Sequence, residues 1–121
     1  MEPKKFRASH ILLNHAEATW TTNHRAKPLA EKEAYNVIQD IAEGLLTFSQ
    51  AAKEHSACRV TAKNGGDLGW FDFPGEMEYP LAHAVSMMEK DTMLGVPIET
   101  EYGYHAVSYT HLTLPTRYRV V

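Results

Sequence analysis

The side chains best equipped for chemistry are the single cysteine, Cys58, and the seven histidines. Cys58 would be a nucleophile as a thiolate, a state that needs a cationic or basic neighbour near neutral pH. His10 and His105 are the candidates for that neighbour, each set beside apolar residues in a stretch that reads as strand. Such a trio raises a cysteine hydrolase, although the residues around Cys58 match no hydrolase motif. Two plainer readings stand beside it: an inert core thiol, and imidazoles that only satisfy their own surroundings. A metal centre is the weaker alternative. His10, His15, His24, His55, His83, His105 and His111 show no paired zinc-ligand spacing.

These groups have to be positioned by the elements around them. Asn64-Gly65-Gly66-Asp67-Leu68-Gly69-Trp70-Phe71 is the most distinctive stretch, because its glycines allow backbone conformations closed to most residues. It predicts a tight, shaped turn running into a short strand, with Leu68, Trp70 and Phe71 presented to an apolar surface. Residues 6–13 read as a central strand: alternation puts Ala8, His10 and Leu12 on one face and Ser9, Ile11 and Leu13 on the other. Residues 14–27 form a polar loop, in which Arg25 and Lys27 could touch an anion and Trp20 could contact a ligand. From Pro28 the pattern is helical, with Ala34, Val37, Ile38, Ile41, Ala42 and Leu45 as its apolar stripe and Gly44 at its end. Thr47-Phe48-Ser49-Gln50 has the form of a capping box opening a short helix, with Phe48, Ala51 and Ala52 on its buried side.

Arg59 to Lys63 read as a polar loop, and residues 72–77 as a turn. Pro80 opens another helix, with Leu81, Ala84, Val85 and Met88 as its apolar positions, and residues 89–95 follow as a loop. Residues 96–100 and 104–108 read as strands joined by a hairpin turn at Glu101-Tyr102-Gly103. From Tyr109 the fit is poor, because Pro115 interrupts any extension of the last strand. The tail resembles the peptide made when sequencing-adapter DNA is translated, so the domain is drawn at 5–108 and 109–121 is set apart as a doubtful tail.

At 121 residues, with 44% hydrophobic and 22% charged residues, one soluble globular domain is expected. A net charge of −3 gives no field favouring nucleic acid or an anionic membrane. One cysteine excludes an internal disulfide framework. The first residues lack the apolar run of a secretory signal, so a cytoplasmic location is expected if the start is native.

Ala8-Ser9-His10-Ile11-Leu12, His55-Ser56-Ala57-Cys58, Gly65 to Phe71, Gly75-Glu76-Met77, Pro97, Thr100 and Tyr102-Gly103-Tyr104-His105 occur in this order. Together they resemble the parvulin (PpiC-type rotamase) family of peptidyl-prolyl cis/trans isomerases over residues 7–107. The resemblance implies an α+β fold: a four-stranded antiparallel sheet wrapped by about four helices, ordered β-α-α-α-β-α-β-β. One of those helices, near residues 57–64, is not visible in the periodicity. The resemblance also implies that His10 and His105 are paired histidines on the central strands, that Cys58 holds a position filled by cysteine or aspartate, and that Thr100 hydrogen-bonds in the histidine network. Leu68, Met77 and Leu81 would receive the prolyl ring, with Tyr102 as an aromatic wall and Phe71 beside them. Leu81 stands where many relatives carry phenylalanine, which implies a wider, softer pocket. Asn14 stands where phosphate-recognising relatives carry lysine, and no paired arginines follow, so phospho-specificity is not expected.

Rotation about an X–Pro bond must break amide resonance, against a barrier of roughly 18–20 kcal/mol for a peptide bond. No covalent bond need break, so no metal, cofactor or strong nucleophile is required. The need is a site that binds the twisted amide better than either planar form. The implied activity is thus a non-covalent isomerase acting on proline-containing segments of client chains. The domain itself is expected to be a monomer with no nucleic acid or membrane partner. A binding module on the same fold, holding such segments without turning them, is the remaining alternative.

Overall fold

The computed structural model describes residues 4–18, 25–73, 75, 77, 79–89 and 91–112. Expectations placed on Trp20, Pro74, Glu76 and Pro115 fall outside these residues. The chain order is β1 (Lys4–Leu13), α1 (Lys27–Ala42), α2 (Phe48–His55), α3 (Arg59–Ala62), β2 (Asp67–Phe73), α4 (Tyr79–Ser86), β3 (Thr92–Met93), β4 (Ile98–Thr100) and β5 (Gly103–Leu112). The four main strands are antiparallel, as expected. The two-residue β3, falling where a loop was expected, adds a fifth. The strand order is β2-β1-β5-β3, and β4 pairs with β5 as well. β1 is therefore central, and both of its faces are covered.

On one face, Ile11 and Leu13 of β1 and Tyr104 and Ala106 of β5 pack against Ala30, Ala34, Val37 and Ile38 of α1 and Ala51 and Ala52 of α2. Alanines at these contacts let the helices approach the sheet closely. On the other face, Phe6, Ala8, Val107 and Tyr109 pack against Leu81 and Val85 of α4. The sheet is thus the middle layer, and His10 and His105 belong to the α4 side.

Local sequence explains where the helices stop and start. α1 ends in a Schellman motif: Gly44 has φ +81°, its N–H donates to Ile41, and the Leu45 N–H donates to Asp40. The helix is over before Leu45, which stands 69% exposed, and Ala42 is exposed too. The apolar stripe therefore ends at Ile41, one turn earlier than its periodicity suggests. Thr47 and Gln50 do form a reciprocal capping box for α2. In the loop after β1, His15 is buried, accepts the Glu17 N–H at 3.1 Å and lies against Tyr104. Arg25 grips the Asn14 carbonyl, and Lys27 pairs with Glu99 at 2.8 Å, so both cations already have partners within the chain.

β2 carries a bulge. Arg7 pairs with Trp70 and Ser9 with Asp67, so Leu68 and Gly69 together oppose Ala8. Gly69 has φ +76°, a conformation that favours glycine. The extra residue resets the alternation, and Leu68 and Phe71 both reach the α4-side core. Trp70 does not face an apolar surface as expected. It is 46% exposed, with the Arg7 guanidinium 5.8 Å from its ring centroid.

Gly66, at φ +88°, lies against β1, where an added Cβ would sit 2.4 Å from the His10 carbonyl oxygen. Gly66→Ala is expected to destabilise the protein on the order of 2–4 kcal/mol. Gly95, with open space where its Cβ would be, should accept alanine within about 0.5 kcal/mol. Urea denaturation of the two variants checks this, and equal effects would contradict the close approach at Gly66.

Candidate active site

The site is assembled by a seam between β1 and the segment from Ser56 to Gly66. The Ser56 hydroxyl accepts the backbone N–H of Leu12 at 3.0 Å and that of Cys58 at 3.3 Å. The Ala57 N–H donates to the Leu12 carbonyl at 2.8 Å, and the His10 N–H donates to the Gly66 carbonyl at 2.9 Å. Between these ties lies α3, which the polar loop reading of residues 59–63 did not show. The seam sets Cys58 and Thr61 beside His10.

In the β1–β5 ladder His10 is opposite Val107 and His105 is opposite Leu12, so the two imidazoles are diagonal neighbours on one face. Their rings stack with centroids 5.1 Å apart and Nδ1 atoms 2.9 Å apart. The His105 Nε2 lies 2.7 Å from the Thr100 hydroxyl, and the His10 Nε2 lies 3.2 Å from that of Thr61. Thr100 sits behind His105 and accepts the Tyr102 N–H at 3.2 Å.

A cavity of about 360 Å³ opens above the imidazoles. Its lining includes the expected His10, Cys58, His105, Leu68, Met77, Leu81 and Tyr102, and adds Leu12, Asn14 and Ala57. Phe71 is not part of the lining. It stacks on Phe6 at 6.2 Å within the core, because the bulge turns it inward, and its contribution is to packing beneath the site. Thr61 is the residue that sequence reasoning missed. A threonine in a polar segment carries no signal until the chain folds it against β1.

Burial and charge tune the floor. Burial, followed by the nearby His10, pushes the His105 imidazole down to about 3, so it is neutral at physiological pH. The Cys58 thiol is pulled down to about 6, chiefly by hydrogen bonding to His10 and also to Thr61, against an opposing effect of burial. The floor thus has a neutral imidazole on one side and a thiol with marked thiolate character on the other. Among the described residues no three His, Cys, Asp or Glu side chains gather where they could hold a metal ion.

Comparison with known proteins gives this geometry its place. Residues 10–111 match the rotamase family model, the PPIC-type PPIASE domain. The chain belongs to this family, the parvulin-type peptidyl-prolyl cis-trans isomerases. It is similar to the foldase protein PrsA of Geobacillus kaustophilus, with 37% identity over 106 residues, covering 88% of this chain and 31% of that protein. It is also similar to the peptidyl-prolyl cis-trans isomerase pin1 of Rhizopus delemar, with 32% identity over 117 residues, covering 90% of this chain and 75% of that protein. Among solved structures, the peptidylprolyl isomerase PrsA from Bacillus anthracis aligns with a TM-score of 0.74 at 25% identity, covering 97% of this chain and 45% of that one. The chain spans 24–35% of the length of the first bacterial relatives it matches.

The lowered value at His105 has a thermodynamic consequence. An unfolded imidazole takes up a proton near 6.5, whereas folded His105 resists until about 3, so the unfolded chain binds more protons between these values. The His105 contribution to stability is therefore complete above pH 6.5 and is lost on acidification towards pH 3. Well below pH 6.5 it should add a slope approaching roughly 1.4 kcal/mol per pH unit. Urea midpoints measured from pH 7 to pH 4 should fall less steeply for His105→Gln than for the parent, and parallel curves would contradict a neutral His105.

Proposed function

We propose that this chain catalyses cis/trans isomerisation of X–Pro bonds in client polypeptides, non-covalently and without requiring phosphorylation, in support of protein folding. The observation that carries the reading is the cavity itself. Leu68, Met77, Leu81 and Tyr102 enclose an apolar space whose floor is His10, Cys58 and His105. A prolyl ring held by those walls would place its amide over the polar floor. The twisted amide has lost resonance and is less polar than either planar form, so it loses less on leaving water. Preferential binding of that state lowers the barrier.

Two observations refine the reading. The thiolate character of Cys58 would serve a nucleophile as well as a fixed negative charge, but isomerisation needs only the charge. Asn14 is an uncharged amide on the cavity wall, while Arg25 and Lys27 are engaged by Asn14 and Glu99. Phosphate beside the proline would find no free cation at these described positions. The folding role draws on the similarity to a foldase, and the general X–Pro substrate on the family.

A protease-coupled assay on short X-Pro-Phe peptides tests the activity. The parent should accelerate exchange well above the spontaneous rate. Met77→Ala should lower kcat/KM about tenfold or more, equivalent to roughly 1.4 kcal/mol of transition-state binding. Cys58→Asp, which keeps a negative charge without a nucleophilic sulfur, should stay within about tenfold of the parent, and Cys58→Ala should fall further. A dead Cys58→Asp variant would turn the reading towards covalent chemistry. Retained peptide binding with no acceleration by the parent would assign a binding module instead. Substrates with phosphoserine before proline should be turned over no faster than those with alanine, and a strong phosphoserine preference would overturn the specificity.

A further inference from the structure

The hydrogen bonds around the imidazoles have a direction, and one residue outside the expected set fixes it. Two neutral imidazoles whose Nδ1 atoms are 2.9 Å apart must have one donor and one acceptor, so either ring could carry the proton between them. The partners at the two ends remove this choice. At one end the Thr100 hydroxyl oxygen accepts the Tyr102 N–H, and its own hydrogen needs an acceptor in a buried setting. His105 Nε2, at 2.7 Å, is that acceptor. His105 then carries its proton on Nδ1 and donates to His10 Nδ1. His10 in turn carries its proton on Nε2, facing the Thr61 hydroxyl oxygen at 3.2 Å. Thr61 can accept because its own hydroxyl hydrogen is directed to the Cys58 carbonyl, 3.4 Å away.

We propose that Thr61 is a positioning residue for the isomerase site: by accepting from His10 Nε2 it holds the pair in the state His10 Nε2–H, His105 Nδ1–H. The reverse state would turn the Thr61 hydrogen from the Cys58 carbonyl to His10 and leave the Thr100 hydrogen without its acceptor in the buried end of the site. The ordered chain runs from the Tyr102 N–H to the Cys58 carbonyl and so spans the cavity floor from wall to wall. It leaves an uncharged N–H donor on His10 beside Cys58, consistent with His10 and Thr61 being the hydrogen-bonding groups that lower the thiol. The catalytic consequence rests on the isomerase reading, whereas the protonation pattern does not.

The test is long-range proton–nitrogen NMR of the uniformly labelled chain at neutral pH, which reads which ring nitrogen is protonated. The parent should show His10 protonated at Nε2 and His105 at Nδ1. Thr61→Val, close in shape but without the hydroxyl, should give His10 a mixture of tautomers and move the Cys58 thiol titration upward from about 6. Thr61→Ser should restore both signals. The opposite tautomers in the parent, or a folded Thr61→Val variant with both readouts unchanged, would overturn the proposal. Should Thr61→Val fail to fold, the parent and Thr61→Ser spectra decide, since a Ser variant differing from the parent in His10 tautomer would also overturn it. A protein without isomerase activity that shows these tautomers would sink the functional reading and keep this one.

Discussion

The structure depends on how closely the segment from Ser56 to Gly66 can lie against β1. Three backbone-level ties, at Leu12, Ala57 and His10, hold it there, and Gly66 is what allows the last of them to form. With a side chain at Gly66 the His10 carbonyl would be displaced. Cys58 and Thr61 would then have no fixed relation to the imidazoles on the sheet. The glycine pair therefore acts on the chemistry from a distance, by setting how near two stretches of backbone can come. The sheet does the complementary work, because adjacent central strands place His10 and His105 diagonally on one face with no loop between them.

What that arrangement provides is a polar surface that does not change charge when it is enclosed. His105 is too deeply buried to accept a proton at physiological pH. Its hydrogen bonds to Thr100 and His10 keep it satisfied while neutral. Cys58 stands nearer the cavity and is the group whose charge is poised. A floor of this kind can contact a rotating amide without costly reorganisation, which is the contribution that a fixed electrostatic environment makes to catalysis. The walls contribute through shape. Leu81 is buried at the start of α4, and Met77 packs against the same core, so the enclosure is continuous with the α4-side core.

Much of this was legible from local signals. Periodicity located α1 and α4, the Thr47–Gln50 pair located α2, and the glycine turn located the start of β2. The sequence resemblance named seven of the cavity residues. What was not legible depends on contacts distant along the chain. α3 has four residues, too short for a period, and exists where the seam to β1 holds it. β3 forms because Thr92 and Met93 meet β5, not because two residues prefer a strand. Phe71 was misplaced because alternation is counted without knowing that Gly69 inserts a bulge. Leu45 continues an apolar pattern past a glycine that has already ended the helix. Thr61 shows the same principle at the site: its importance comes from what faces it.

The bulge has a further consequence at the rim of the molecule. β2 closes one side of the sheet, and its far side has no strand beside it among the described residues. An unpaired strand margin is a template for any extended polypeptide that meets it. The displaced register at Leu68 and Gly69 interrupts the regular row of donors and acceptors that such a templated strand would need. For a domain that handles incompletely folded chains, a kinked border makes it harder for a client to be captured permanently by the sheet rather than released.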